Sequence, residues 1–245
     1  MASVFGQHSP AAQRRDQMNQ KSVNMLYLGV FLCLVCAIAA GVMGSVAVVT
    51  KEPIAKAKMK KISDGLRAVL PPFNNNPMED VRSCRESDGS VVDFYRAFQD
   101  GKPVGVVAKV SSPMGYGGRV DGLVSFAPDG KIRTVIVTGH NETPGLGTRL
   151  TDRKEEKTLA GLFSRTEKKE GLPSNPYLDQ FGSHFAGDGW AVPWKIKKDG
   201  GDADYVSGAT LSSRAVTDLA WRAASAFREH KAELLAPAIR KENVK

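Results

Sequence analysis

The most restrictive feature of this 245-residue chain is a long run without charge. No Asp, Glu, Lys or Arg occurs between Lys21 and Lys51, and residues 23–50 are almost all apolar or small. At about 1.5 Å per residue in a helix, this run exceeds the roughly 30 Å of bilayer hydrocarbon. Ser45–Ala47 also resembles a signal-peptidase site, but the apolar part of a signal peptide usually has only about 7–15 residues. The run therefore predicts an uncleaved transmembrane helix at residues 23–50, after a polar tail at residues 1–22.

The charges that flank this run leave its orientation open. Arg14, Arg15 and Lys21 precede it, and a larger group follows it, namely Lys51, Lys56, Lys58, Lys60, Lys61 and Arg67. Because cytoplasmic loops are rich in Lys and Arg, this count favours a cytoplasmic location for the rest of the chain. The rule weakens when a long domain is translocated, so the charge count does not decide the question.

Composition and cysteine content narrow the possible classes of protein. The formal net charge is +8, but the cations are interspersed with 26 acidic residues and form no aromatic-rich basic face, so we expect no nucleic-acid binding. Cys33 and Cys36 share one helix face within the apolar run, so they could form a metal or cluster site with a partner subunit. Simple packing is favoured instead, because a free cysteine behaves as a small apolar residue. Cys84 is the remaining cysteine, so the domain after the run cannot form an internal disulfide.

Hydrophobic periodicity predicts an α+β domain behind the membrane run. A juxtamembrane helix at residues 51–72, ended by two prolines, is indicated by the helical spacing of Ile54, Met59, Ile62, Leu66 and Leu70. Alternating patterns predict strands at residues 91–98, 103–112, 119–127 and 131–140, and a further strand at 189–198. Short helices and loops are expected at residues 151–185.

The turns between these strands indicate how they pair. QDGK at residues 99–102 and PDGK at residues 128–131 are hairpin signals, so the sheet is expected to be an antiparallel meander. A last helix follows residue 210, and its core-facing stripe is predicted to consist of Ala215, Val216, Leu219, Ala220, Ala223 and Phe227.

A cluster of small and hydroxylated residues, SGAT at residues 207–210, precedes this last helix. The first amide groups of a helix lack intrahelical partners and carry partial positive charge, so a phosphate is stabilised there. Gly208 would let the backbone approach a ligand closely. Thr210 could carry the phosphate as an ester, whereas the simpler interpretation is that Ser207 or Thr210 caps the helix.

Two further stretches could contribute to a site. GHNETPGLGTRL at residues 139–150 follows the fourth predicted strand and contains His140 and Glu142, a possible acid–base or metal pair. A zinc deaminase site is excluded because no cysteine follows Cys84, and a structural role is the more common one for a lone loop histidine. SSPMGYGGRVDG at residues 111–122 is rich in glycine and contains Tyr116, so it could form a wall for a flat ligand or an ordinary hairpin loop.

In combination, these stretches resemble the FMN-binding domain family. DYVSGATLS at Asp204–Ser212 is similar to the flavinylation motif, in which the second hydroxyl of an S/T-G-A-S/T core carries FMN through a phosphoester. The E-T-P-G-L-G and G-Y-G-G loops of the family correspond to Glu142–Gly147 and Gly115–Gly118. With the anchor in front, nearly the whole chain past residue 22 resembles the G subunits (RnfG) of Rnf electron-transport complexes. The C subunits of sodium-translocating NADH:quinone reductase (NqrC) are the alternative.

The resemblance implies a site and a cofactor. Thr210 would hold FMN covalently through its phosphate, which makes the chain a phosphoprotein, and Asp204 would belong to the recognition site of a separate flavin transferase. The other residues implied to contact the cofactor are Ser207, Gly208, Ala209, Ser212, Glu142, Thr143, Gly145, Leu146, Gly147, Tyr116 and Gly117. No metal site is implied.

The resemblance also implies a role. An extracytoplasmic (periplasmic) FMN-binding domain at residues 73–236, followed by a short tail at 237–245, would pass electrons among the other inner-membrane subunits of an Rnf-type translocase. The complex would couple ferredoxin:NAD electron transfer to Na⁺ or H⁺ movement, and this chain would have no self-contained active site. A membrane-anchored binding domain without a cofactor is the alternative of a different class.

Overall fold

Two compact units make up the chain, Met1–Lys58 and Met59–Lys245. The computed structural model describes residues 10–86, 89–153, 172–185, 190 and 192–237, with side chains described from residue 25 onward. The described part of the first unit is helical, and the second unit contains the sheet and the remaining described helices.

Helix α1 (Pro10–Val69) carries the uncharged run. Within the described residues it is the one helix that is long and apolar enough to cross a bilayer. Its large apolar side chains are widely exposed, with Leu26 at 73% and Val48 at 75%. Because exposed apolar surface costs about 25 cal/mol per Å² in water, this segment is suited to lipid. The helix continues without a break from the predicted tail to Val69, so the predicted boundaries at residues 22, 50 and 72 stay predictions.

The sheet is the predicted antiparallel meander with one additional strand. Its order is β1-β2-β3-β4-β5, and each neighbouring pair is antiparallel. The strands are β1 (Val81–Arg85), β2 (Val91–Gln99), β3 (Lys102–Gly115), β4 (Gly118–Phe126) and β5 (Ile132–Gly139). Asp100 and Gly101 form the β2–β3 turn with φ of 52° and 78°, as expected of a two-residue hairpin turn. The α+β fold class is confirmed.

Two details of the strand prediction are wrong. Strand β1 was not predicted, because its sequence VRSCR is short and polar. The strand forms by pairing with β2, and Cys84 lies opposite Val92. The predicted strand at 189–198 does not form among its described residues, 190 and 192–198. Its described residues make an isolated bridge between Ile196 and Ala203 and a 3₁₀ turn at Lys197–Asp199. Pro193 has no amide hydrogen to donate to a neighbouring strand, which is one physical reason.

Helices cover both faces of the sheet. Helix α4 (Thr210–Leu234) packs on the face formed by Phe94, Ala108, Val124 and Val135, and all six residues of its predicted stripe are buried. The last turns of α1 pack on the opposite face through Leu66 and Val69, together with Leu70 directly after the helix. In the same helix Ile54 and Met59 are more than half exposed, so the predicted juxtamembrane stripe is buried only near its end.

Two short helices complete the described part. They are α2 (Thr148–Thr151) and α3 (Pro176–Asp179), and they lie beside β5 and α4. Helix α2 directly follows the glycine-containing loop at residues 140–147. The sheet therefore brings the β3–β4 turn and the loop after β5 to the side of the domain where α4 begins.

Candidate functional site

Helix α4 begins at Thr210, within the predicted range of residues 207–210, but no serine or threonine caps it. The N-cap residue is Ala209, which makes no side-chain cap hydrogen bond. The chain enters the helix through a turn at Ser207 and Gly208, closed by a 3.0 Å bond from the amide of Ala209 to the carbonyl of Val206. Gly208 has φ of 87°, a left-handed conformation that strains any residue with a Cβ. Thr210 therefore lies half-buried at the helix start, behind an exposed turn.

A residue outside the predicted site, Ser213, stabilises the turn that leads into α4. Its hydroxyl accepts a 3.1 Å hydrogen bond from the amide of Val206 and donates a 2.9 Å bond to the carbonyl of Ala209. The sequence suggested Ser207 or Thr210 as the cap, which is wrong because Ser207 is exposed and the N-cap residue is Ala209 without a side-chain cap hydrogen bond. The pair of serines at 212 and 213 could have signalled the role, but the sequence cannot tell which of the two faces the turn.

Glu142 joins the three stretches that the sequence singled out. The residue is 6% exposed, and its carboxylate accepts a 2.5 Å hydrogen bond at Oε2 from the hydroxyl of Ser212 in the first turn of α4. The other oxygen, Oε1, accepts a longer 3.4 Å bond from the amide of Gly117 in the β3–β4 turn. One buried side chain thus connects the loop after β5, the β3–β4 turn and the start of α4.

Glycines surround this carboxylate because the chain segments approach closely. A Cβ on Gly147 would lie 2.7 Å from the Oε2 of Glu142 and 2.9 Å from the hydroxyl of Ser212. A Cβ on Gly115 would lie 2.5 Å from the Oε1 of Glu142, and one on Gly117 would lie 1.8 Å from the carbonyl oxygen of Asn141. These three glycines are therefore required for packing within the protein.

The remaining predicted loop residues face outward. Thr143, Gly145 and Leu146 are exposed, and Tyr116 is 70% exposed. Gly145 has φ of 81° and open space around its missing Cβ, while its amide donates a 2.9 Å bond to the hydroxyl of Thr148. Leu146 lies against the Gly208 turn, since a Cβ on that glycine would be 3.7 Å from its Cδ2. An apolar, solvent-accessible surface thus lies next to the turn that precedes Thr210.

A basic segment, Lys195–Asp199, lies on another side of Thr210. The ammonium of Lys198 donates a 3.5 Å hydrogen bond to the hydroxyl of Thr210. Asp199 accepts two 2.7 Å bonds from Arg214, and this guanidinium holds the pKa of the Asp199 carboxyl below its usual range. Lys197 pairs with Asp204, which is 60% exposed. The surroundings of the threonine hydroxyl are therefore cationic on this side.

A cleft of about 390 Å³ opens beside this basic segment. Its walls include Trp194 and Trp221, whose ring centroids are 5.7 Å apart, and Met114 from the end of β3. Arg214 also lines the cleft, one helical turn after Thr210 on the same face of α4. An aromatic ligand attached at the start of α4 would lie near this cleft and near the exposed surface that includes Leu146.

His140 and Glu142 do not form a catalytic or metal-binding pair. The Nδ1 of His140 accepts a 3.3 Å bond from the amide of Glu142, so Nε2 carries the ring proton and bonds to Asp152 at 2.9 Å. The hydroxyl of Thr151 lies 3.1 Å from the same nitrogen. The Glu142 carboxylate faces Ser212 and Gly117, as described above. His140 is thus part of a structural network that holds the loop to α2.

A further cluster of polar side chains was not predicted from the sequence. The carboxylate oxygens of Glu86 and Glu229 and a ring nitrogen of His230, atoms that could bind a metal ion, lie within 4.8 Å of one another at the opposite end of α4. This cluster is separate from the residues assembled around Thr210.

Comparison with known proteins identifies the kind of chain that carries this site. The model of the FMN-binding domain family matches residues 115–225, which include the β3–β4 turn, the loop after β5 and the start of α4. The G subunit of the ion-translocating oxidoreductase complex of Cereibacter sphaeroides is 30% identical, with 93% of this chain and 94% of the relative aligned. The corresponding protein of Pseudomonas aeruginosa is 29% identical over 93% of this chain and 96% of its own length.

A third relative shows the same relationship at similar identity. The G subunit of the Vibrio cholerae complex is 28% identical, over 86% of this chain and 92% of its own length. The alignments extend well beyond the FMN-binding domain and over most of each relative. The chain therefore belongs to the family of G subunits of ion-translocating oxidoreductase (Rnf) complexes, with an FMN-binding domain.

Proposed function

We propose that this chain is the covalent-FMN electron carrier of a membrane Rnf-type complex and that Thr210 carries the flavin through a phosphate ester. Its relatives and its FMN-binding domain make it an Rnf-type electron-transfer subunit. The apolar helix and this family membership indicate a membrane-anchored protein. The covalent link, the donor and acceptor and the orientation are the parts proposed here.

The observation that supports Thr210 most directly is its position at the start of α4. The N-cap residue Ala209 supplies no side-chain acceptor, so the amides of the first turn are not satisfied by a cap. Those amides and the ammonium of Lys198 favour an anion on the hydroxyl oxygen. The residues present thus fit a phosphate at this point.

Accessibility also supports the assignment. The turn at Ser207 and Gly208 is exposed, and so is Asp204, so a flavin transferase can approach the acceptor from solvent. Attachment would replace the Oγ1–H bond of Thr210 with an Oγ1–P bond. The donor, a flavin nucleotide with an activated phosphate, would lose its leaving group, and the proton would pass to a base on the transferase.

When bound, FMN would supply the electron-transfer chemistry. The chain's own part is to hold the phosphate at α4 and to present apolar surface, including Leu146 and the Trp194–Trp221 cleft, to the ring system. We propose that the complex transfers electrons between ferredoxin and NAD and moves Na⁺ or H⁺. Because residues 22–50 hold no charge, an ion path through this chain alone is not expected.

The experiment is a flavin assay on the membrane-extracted chain after co-expression with a flavin transferase. We expect in-gel flavin fluorescence after denaturation and an FMN mass increment on the peptide that contains Thr210. Thr210→Val should abolish the label, Thr210→Ser should keep it, and His140→Ala should not remove it. A label that survives Thr210→Val but disappears in Ser207→Ala would mean that another hydroxyl is the acceptor. An unlabelled wild type would refute the covalent carrier.

A further inference from the structure

The basic segment Lys195–Asp199 is fixed relative to the start of α4. Ile196 is fully buried and forms a bridge with Ala203, and the amide of Lys197 donates a 2.8 Å bond to the carbonyl of Ala203. Asp199 is attached to α4 itself through its two bonds to Arg214. The backbone that carries Lys198 is therefore held on both sides by contacts that do not involve the Lys198 side chain.

Lys198 donates to a neutral hydroxyl, whereas the neighbouring cations Lys197 and Arg214 pair with carboxylates. Lys197 pairs with Asp204 at 2.5 Å, and Arg214 pairs with Asp199 at 2.7 Å. Within the part of the chain that the structure describes, no carboxylate forms an ion pair with Lys198. Its charge helps to lower the pKa of the neighbouring Asp199, and its ammonium donates a hydrogen bond to the hydroxyl of Thr210 at 3.5 Å. A neutral hydroxyl compensates an ammonium charge poorly compared with an anion, because charge-assisted hydrogen bonds are shorter and about twice as strong.

We propose that Lys198 is a positioning residue that supplies the counter-charge for a phosphate ester on Thr210; this inference rests on the proposed function. A phosphodiester on Oγ1 carries one negative charge on oxygens that extend beyond the hydroxyl position. Those oxygens would give the Lys198 ammonium an anionic hydrogen-bond acceptor in place of the neutral hydroxyl. The lysine and the first-turn amides of α4 would then hold the phosphate from two directions, and the flavin beyond it would be oriented by a fixed anchor.

The test compares four full-length proteins co-expressed with a flavin transferase: wild type, Lys198→Ala, Lys198→Arg and Lys102→Ala. Lys102 is the control, since it is an exposed lysine at the start of β3, outside the cleft, and makes no bond to Thr210. Intact mass gives the fraction labelled with time. At low salt we expect Lys198→Ala to label about two- to fivefold more slowly, the range of an exposed ion pair, and the other two to match wild type. At about 1 M salt, where the screening length is about 3 Å, the difference should largely vanish.

A second readout separates pairing with the phosphate from a purely structural role. Thermal unfolding is measured for labelled and unlabelled wild type and Lys198→Ala. We expect attachment to raise the midpoint more in wild type than in the variant, while the unlabelled proteins unfold at similar temperatures. An equal gain in both labelled proteins, with equal labelling rates, would overturn the role of Lys198 and leave Thr210 as acceptor. A wild type without covalent flavin would refute both proposals.

Discussion

The hydrogen bond between Ser212 and Glu142 is expected to stabilise the whole start of α4, and Ser212→Ala tests this. The substitution removes the 2.5 Å partner of the carboxylate of Glu142, a residue that is only 6% exposed, and Ser212 itself is 2% exposed. What remains is the amide of Gly117 at 3.4 Å, a long and weak bond. The carboxylate would then stay buried without a good partner.

The magnitude follows from the charge of the acceptor. Hydrogen bonds to charged groups contribute about 1.5–3 kcal/mol, and an unsatisfied buried charge costs at least as much. We therefore expect Ser212→Ala to lower the free energy of unfolding by about 2 kcal/mol. With a urea dependence of about 2 kcal/mol per M, the unfolding midpoint should fall by about 1 M.

Tryptophan fluorescence in urea is a suitable assay, because Trp190, Trp194 and Trp221 all lie in the unit that contains the sheet. Ser207→Ala is the control, since its exposed hydroxyl should contribute less than about 0.5 kcal/mol. Adding Glu142→Gln to Ser212→Ala should recover part of the loss, because a neutral amide is cheaper to bury than a carboxylate. A Ser212→Ala midpoint within about 0.2 M of wild type would refute the reasoning.

Three other predictions concern the loop, the basic segment and the membrane. Gly145→Val places a β-branched residue at φ of 81° and should distort the exposed loop. We therefore expect the visible spectrum of the bound flavin to change. An unchanged spectrum would show that this loop does not contact the flavin. Arg214→Ala removes the partner that lowers the pKa of Asp199, so the variant should be less stable than wild type at neutral pH. This difference should disappear as the pH falls below 3.8, the ordinary pKa, and through the lower pKa of Asp199 in the folded protein. Equal urea midpoints of variant and wild type at neutral pH would contradict this. A reporter fused after Lys245 should be active only outside the cytoplasm, and cytoplasmic activity would reverse the proposed orientation.

Much of the fold could be predicted because its signals are local. The uncharged run, the alternating strands and the DG turns each report the conformation of a few neighbouring residues, and the meander follows from short connections. Strand β1 and the segment at 189–198 show where prediction from local signals fails. Arg82 and Cys84 belong to a strand because β2 offers an edge to pair with, and no local pattern in VRSCR predicts that.

In the candidate site, too, local features could be predicted from the sequence, whereas contacts between distant segments could not. The hydroxyl cluster correctly indicated a helix start near residues 207–210, since small and polar residues before an apolar stripe are a local signal. Lys198 and Ser213 were missed, because the first reaches Thr210 from a separate segment and the second differs from Ser212 only in the direction that packing gives it.

By itself the sequence determined most elements of this protein: an apolar helix long enough for a bilayer, four strands of an antiparallel meander and a helix that begins near residues 207–210. It could do so because hydrophobic periodicity and turn chemistry act between residues close in the chain. The tertiary structure alone decided that Glu142 is buried between two loops and α4, and that a lysine twelve residues before Thr210 adjoins its hydroxyl. Those contacts depend on where packing places distant segments, and a buried carboxylate requires partners that only the folded chain brings to it.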